Sequence, residues 1–338
     1  MNTRRKLVLG GAAAAAVAVP LVALPFTANA DDNDAPAPEQ PAALADAEFY
    51  TDPDSNPYAW LSENPDHPDA DLIRAEIAEK AGAKWYGTQL DDPWDVQPVG
   101  EYVSDATATG QTPIVVAYNM YDRDCGGHSG GGASSPDAYK AWIDAFASDI
   151  GDHEAVVIVE PDALAQSLDC GDDKPVREEL LAYAVDALAS KAVNANVYLD
   201  AGNATWPGDA SEIAYALEQA GVEKISGFSL NVSNHYDTGA SHDKAGTINY
   251  FLGYDAGYVV DTSRNGSGKT DDSEDGWCNP VGATLGEPSR ATPEGPADAL
   301  LWVKVPGDSD GDCNSGAGIP AGQFDPGLAK ALITGDYS

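Results

Sequence analysis

Several stretches of this sequence put a carboxylate where an apolar run ends. Val156-Val157-Ile158-Val159 leads straight into Glu160-Pro161-Asp162. Pro161 favours an extended Glu160, which sets Asp162 at the mouth of the element, beside apolar Ala163 and Leu164. A carboxyl in such a setting resists ionisation, as a general acid working near neutrality must. Asp162 also reads as the N-cap of a following helical turn, and spacing alone leaves both readings open. Asp124 follows the run that ends at Tyr118, Asp200 closes Tyr198-Leu199-Asp200, and Asp310 lies in Asp308-Ser309-Asp310-Gly311-Asp312.

Other patterns are weaker. Gly126 to Gly132 is dense in glycine, which suits close ligand approach or a moving lid, and Gly127-His128-Ser129-Gly130-Gly131 matches the G-x-S-x-G of serine hydrolases. A nucleophile elbow needs a strand leading directly into the serine, whereas here Cys125 and other residues separate Tyr118 from Ser129. Asp308 to Asp312 opens like a calcium loop, but Cys313 and Ile319 stand where glycine and glutamate are required. The stretch from Asp271 to Gly276 departs in the same way, and no zinc spacing of His and Cys occurs. No metal is expected. Trp85, Trp206 and Trp277 lie at or near strand ends, where flat rings suit the C–H faces of pyranose sugars; Trp302, inside an apolar run, reads as core.

The elements that must position these groups alternate. Residues 84–87, 113–118, 155–160, 196–200, 227–232, 258–261 and 301–305 read as strands, and 70–81, 136–149, 175–192 and 211–221 as helices. Such alternation means a parallel sheet covered by helices. Polar residues follow nearly every strand, and a barrel gathers such residues into one crevice, whereas an open sheet concentrates its site at one switch point. The expected fold is α/β, a distorted seven-stranded parallel β/α barrel over residues 48–338.

Composition bounds the partners. The 338 residues include 55 acidic and 18 basic side chains, of which Arg4, Arg5 and Lys6 are the only charges in the first thirty positions. The remainder carries a net charge of −40, which repels nucleic acid and anionic membranes. Those three bases, the apolar Leu7 to Phe26 and Ala28-Asn29-Ala30 read as a signal peptide over residues 1–30. An acidic, Pro- and Ala-rich lead-in over 31–47 follows. In a secreted chain the four cysteines, Cys125, Cys170, Cys278 and Cys313, favour two disulfides.

Taken together, Tyr118 to Cys125, Val159-Glu160-Pro161-Asp162, Tyr198-Leu199-Asp200-Ala201-Gly202, Gly227 to Asn234, Asp261 to Gly266, Trp277-Cys278-Asn279-Pro280 and Trp302-Val303-Lys304-Val305-Pro306-Gly307 resemble the glycoside hydrolase family six cellulases. The resemblance implies hydrolysis of β-1,4-glucan with inversion and no cofactor. Its roles fall on Asp162 as general acid, Asp124 as the carboxylate controlling its protonation, Asp200 as an electrostatic partner and Asp310 as base. Tyr118 presses on the distorted sugar. Trp85, Trp206, Asn234, Trp277, Lys304, Asp308 and Ser129 hold substrate. One departure is Asn203, where such enzymes often carry His. In the barrel reading the bridges join Cys125 to Cys170 and Cys278 to Cys313. The expectation is a secreted, monomeric endo-β-1,4-glucanase with a polysaccharide as its partner. A serine hydrolase using Ser129, a glucan-binding protein without turnover and a chain-end cellobiohydrolase are the alternatives.

The charge makes one expectation of its own. If self-repulsion limits stability, the melting temperature rises with NaCl from 0.1 to 2 M, past the point where ordinary screening is complete. Melting curves in that series check it, and a flat response removes salt adaptation.

Overall fold

The computed structural model describes residues 44–87, 98–124, 129–169, 174–273 and 275–338. The apolar runs pair into one sheet of β1 (Lys84–Tyr86), β2 (Ile114–Ala117), β3 (Ala155–Val159), β4 (Ala195–Asp200), β5 (Gly227–Leu230), β6 (Gly257–Asp261), β7 (Arg290–Ala291) and β8 (Ala299–Leu301). The order is β1-β2-β3-β4-β5-β6-β8-β7. Neighbours are parallel except β7 and β8. The seven expected strands are the parallel ones. Strand β7 is an eighth, too short and polar to register as an apolar run.

The sheet curls without closing by a ladder. Between β1 and β8 the Ala83 amide donates to the Trp302 carbonyl at 2.9 Å, and the Trp85 indole donates to the Val303 carbonyl at 2.7 Å. Alternate residues explain why the strands are apolar throughout. Ile114, Val116, Val156, Ile158, Tyr198, Val259 and Leu301 pack inside the curl, while Val115, Ala117, Val157, Val159, Val197 and Leu199 pack outward under the helices.

The last strand differs from its expected span of 301–305, leaving the ladder after Leu301 because its next amides are taken elsewhere. The Trp302 amide donates to Ser289 Oγ at 2.8 Å, and those of Val303 and Lys304 go to the Asp261 carboxylate at 3.3 and 3.0 Å.

Helices α4 (Pro136–Ile150), α6 (Lys174–Lys191) and α7 (Ala210–Ala220) lie where the sequence predicts them. Helix α4 is capped by Ser135 and α7 by Asp209, whose side chains accept from the amides of Ala138 and Ser211. The expected helix over 70–81 is α2 (Ala70–Ile73) continued by a π-type turn over Arg74–Ala78. Helices α1 (Asn56–Glu63), α3 (Val99–Ala108), α5 (Ala163–Asp169), α8 (Thr238–Leu252) and α9 (Pro326–Thr334) add to the prediction. Helix α8 hides because its face is mixed: Ala245, Ile248 and Leu252 are buried together with Lys244, whose ammonium donates to the Pro207 carbonyl at 2.7 Å.

Strands β5 and β6 approach closely at the paired Gly227 and Gly257. Gly227 has φ +146°, and a Cβ there would run into the Gly257 backbone. Gly227→Ala should therefore cost about 3 kcal/mol, lowering the melting temperature by about 6 °C or more. Calorimetry checks this, and an unchanged transition would contradict it.

Candidate active site

The C-terminal ends of the strands open into one cleft of about 950 Å³. The backbone there departs from ordinary strand geometry: Asp124, Glu160, Asp162, Asn231 and Ser233 have φ of +60°, +48°, +69°, +67° and +56°. Non-glycine residues seldom adopt such angles unless their surroundings over-determine them. Here the surroundings are buried carboxylates.

Glu160 corrects the sequence reading, because Pro161 does not hold it extended. Its amide donates to the Ala117 carbonyl at 2.7 Å, and its carboxyl turns back under the end of β2. There it accepts from the amides of Asn119 at 3.0 Å and Met120 at 2.9 Å. Burial pushes its pKa up to about 7.

Asp200, fully buried at the end of β4, accepts from the amides of Asp162 (2.8 Å) and Gly202 (3.2 Å) and from Ser229 Oγ (3.1 Å). Asp261, at the end of β6, accepts from Ser233 and Ser263 amides at 2.9 Å each, besides those of Val303 and Lys304. Burial raises the pKa of both.

Asp162 follows β3 and faces the cleft. Its carbonyl accepts the Gln166 amide at 2.8 Å, which starts α5, but its carboxyl accepts no hydrogen bond from the described residues and so does not cap the helix. Burial, then the charges of Asp124 and Asp310, push its pKa up to about 7. Asp124 accepts from the Ser129 amide at 2.8 Å and Gln166 Nε2 at 3.0 Å.

Asp310 is the electrostatic opposite. Arg264 Nη1 lies 2.7 Å and Lys304 Nζ 3.3 Å from its two oxygens, and the Asn279 amide donates at 2.9 Å. Burial opposes the charge, yet Arg264 and then Lys304 hold the carboxyl well below the usual range. Asp308 accepts from Asn56 Nδ2 at 2.8 Å, and burial pushes its pKa up to about 7.

Tyr118, Ser129, Trp85 and Lys304 line the same cleft, as do Trp206, Asn234 and Trp277. Asp200 is the exception among the predicted residues, lying beneath the amide of Asp162. The Tyr118 ring meets Trp85 edge-on at 5.1 Å and lies 4.2 Å from the Arg123 guanidinium. Burial, and then Asp162, raise its hydroxyl pKa. Asn203, at the position where His is often found, accepts from the Thr205 and Trp206 amides at 3.1 and 3.0 Å and shapes the Trp206 turn.

Sequence reasoning named Arg123 and Arg264 only as parts of motifs. Arg123 staples its loop through the carbonyls of Gly87, Tyr118 and Ser129. Arg264, buried and three residues beyond β6, is the counter-ion of Asp310, whereas Arg123 is half-buried and lies six residues beyond β2.

Trp302 is core, as expected: it is buried, and its indole donates to the Glu287 carbonyl. Cys278 and Cys313 form a disulfide with Cα atoms 6.1 Å apart, while Cys125, Cys170 and His128 lie outside the described residues. Ser129 meets no described histidine: His67, His153, His235 and His242 bond elsewhere. Among the described residues no group of three or more His, Cys, Asp or Glu could hold a metal ion.

One carboxyl kept protonated and another kept ionised, facing a single cleft at the strand ends of a curled parallel sheet, are the parts of a carboxylate-dependent barrel hydrolase. The sequence places the chain within that class, since the model of the glycosyl hydrolases family 6 matches residues 44–334. The chain belongs to that family and is a glycoside hydrolase.

It is 43% identical over 299 residues to Endoglucanase 1 of Streptomyces halstedii, covering 85% of this chain and 88% of that protein. To Endoglucanase A of Cellulomonas fimi it is 41% identical over 278 residues, 82% of this chain and 58% of that one. Among solved structures, the endoglucanase Cel6 of Mycobacterium tuberculosis, in complex with methyl-cellobiosyl-4-deoxy-4-thio-β-D-cellobioside, matches with a TM-score of 0.78. That pair is 38% identical, covering 86% of this chain and 98% of that chain.

The raised carboxyls predict how stability varies with pH. A carboxyl whose folded pKa lies above its unfolded value stabilises the fold fully below the unfolded pKa, near 4, and loses that contribution as pH rises through the folded pKa, here about 7 for Glu160, Asp162 and Asp308. Asp310, lowered, stays ionised throughout this window. Stability should fall between pH 5 and pH 8 by at least about 2 kcal/mol. Denaturant titrations at the two pH values measure it, and greater stability at pH 8 would contradict the assignment.

Proposed function

We propose that the protein is an endo-β-1,4-glucanase that cleaves cellulose-type glucan with inversion. The observation that supports this most is the contrast between Asp162 and Asp310 in one cleft. In this reading Asp162 protonates the leaving oxygen, and Asp124 keeps that proton in place until the bond breaks. Water attacks from the opposite face of the ring, as inversion requires. Arg264 and Lys304, which keep Asp310 ionised, also make it a weak base. It therefore acts first as a fixed negative charge toward the oxocarbenium-like centre and takes the water's proton as the new C–O bond forms. Asp200 is unsuited to that second role, since it lies beneath the Asp162 amide and does not line the cleft.

Tyr118 presses on the sugar at the cleavage point. Trp85, Trp206 and Trp277 stack on glucose rings, and Asn234, Lys304, Asp308 and Ser129 meet their hydroxyls. Residues 1–30 act as a leader for secretion, residues 31–47 as a lead-in, and the mature enzyme works as a monomer away from membranes. No helix of the described residues is long and apolar enough to cross a membrane.

Asp162→Asn should lower hydrolysis of unactivated glucan by about 10²-fold or more, with glucan binding retained and a substrate bearing a dinitrophenolate leaving group much less affected. Equal loss on both substrates together with lost binding would remove Asp162 as the acid. Asp310→Ala should also lower the rate strongly, with partial rescue by azide and inversion retained; activity near that of the parent enzyme would move the role elsewhere.

The internal mode of attack rests on chain length. The 34 residues between Cys278 and Cys313 include β7 and β8, leaving little of that segment to roof the cleft. Viscosity of substituted soluble cellulose should fall rapidly per bond broken. Slow loss with cellobiose as nearly the sole product would mean a chain-end enzyme.

A further inference from the structure

In the wall of the cleft Gln166 is paired with Arg177 behind it, two side chains that the proposed reaction does not use. Gln166, one helical turn beyond Asp162 on α5, is 8% exposed. Its Nε2 donates to Asp124 Oδ1 at 3.0 Å, and its Oε1 accepts from Arg177 Nη1 at 2.8 Å. Arg177, on α6, is 3% exposed, and its Nη2 donates to the Asp122 carbonyl at 3.0 Å. A guanidinium can only donate, so the amide must present its oxygen to Arg177 and its nitrogen to Asp124. The arginine thereby decides which end of Gln166 faces the acid cluster.

The amide also changes what reaches Asp124. Among the described residues its carboxylate receives two hydrogen bonds, from the Ser129 amide and from Gln166, and both donors are neutral. A direct ion pair with a guanidinium would offset the negative charge that Asp124 presents to Asp162. A neutral donor fixes the carboxylate in place and leaves that charge intact. Around Asp162 the other ionisable groups are Asp310 from the loop after β8, Asp200 beneath its amide, and the Tyr118 hydroxyl, with Arg123 over the Tyr118 ring.

We propose that Gln166, oriented by Arg177, is a positioning residue that holds the Asp124 carboxylate aimed at Asp162, and so sets the pH at which Asp162 gives up its proton. The proposal rests on the roles given above to Asp162 and Asp124. Loss of the amide donor removes the side-chain hydrogen bond that holds Asp124 Oδ1, so the carboxylate is free to turn away from Asp162, which relieves the repulsion that holds the proton there.

The test uses the full chain and the pH profile of kcat/KM on two substrates, soluble unactivated glucan and a β-cellobioside with a dinitrophenolate leaving group. In Gln166→Met the alkaline limb on unactivated glucan should move to lower pH by about half a unit or more, and activity on that limb should fall about threefold or more. The activated substrate should change by less than about twofold, since it needs little help from the acid. Arg177→Lys, which keeps the charge and removes the fork, should act in the same direction and decides the matter if Gln166→Met does not fold. In an Asp124→Asn background, Gln166→Met should move the limb no further.

A stationary limb, an undiminished shift in the Asp124→Asn background, or equal losses on both substrates would overturn the proposal. Asp162→Asn serves as the control. Full activity of that variant on unactivated glucan would mean that the acid assignment itself had failed, whereas its expected loss beside a stationary limb in Gln166→Met would refute only the role of Gln166.

Discussion

Buried carboxylates hold the strand ends of this protein together, and the geometry of the cleft follows from them. Glu160, Asp200 and Asp261 close β3, β4 and β6, and each spends its oxygens on backbone amides of the neighbouring loops. A carboxylate accepting several amides tolerates burial because those dipoles replace water. It also fixes the loops to one another more firmly than apolar packing would, since each amide must point at a particular oxygen. The left-handed backbone at Asp124, Glu160 and Asp162 persists because these bonds over-determine it.

That framework produces two carboxyls of opposite character. The Asp162 carboxyl accepts no hydrogen bond from the described residues and stands half-buried near two other acids, so its neutral form is favoured. Asp310, more deeply buried, is surrounded by Arg264, Lys304 and the Asn279 amide. The same residue type thus yields a carboxyl biased toward its neutral form and one held ionised, decided by neighbours supplied from different strand ends.

Much of this was legible in the sequence. The alternation of apolar runs with amphipathic segments announced the seven parallel strands, and the acids following those runs announced the cleft, because a parallel barrel sends every strand end to one face. Side-chain direction was less legible. Pro161 suggested an extended Glu160, but long-range bonds to the Asn119 and Met120 amides turned it back. The end of β8 was misjudged by a few residues because Asp261, some forty positions earlier, takes the amides that would have continued the ladder. Helix α8 was missed because its buried face includes Lys244. Each discrepancy involves partners distant in sequence, which local propensity does not register.

The central claim is that the fold sets Asp162 and Asp310 far apart in acidity, and carboxyl-carbon NMR of the enzyme labelled at its aspartates tests it most directly. One resonance, absent from Asp162→Asn, should titrate with a midpoint near 7, and another, absent from Asp310→Asn, should remain ionised down to the lowest pH at which the protein stays folded. Two resonances that both titrate in the ordinary range near 4 would contradict the account.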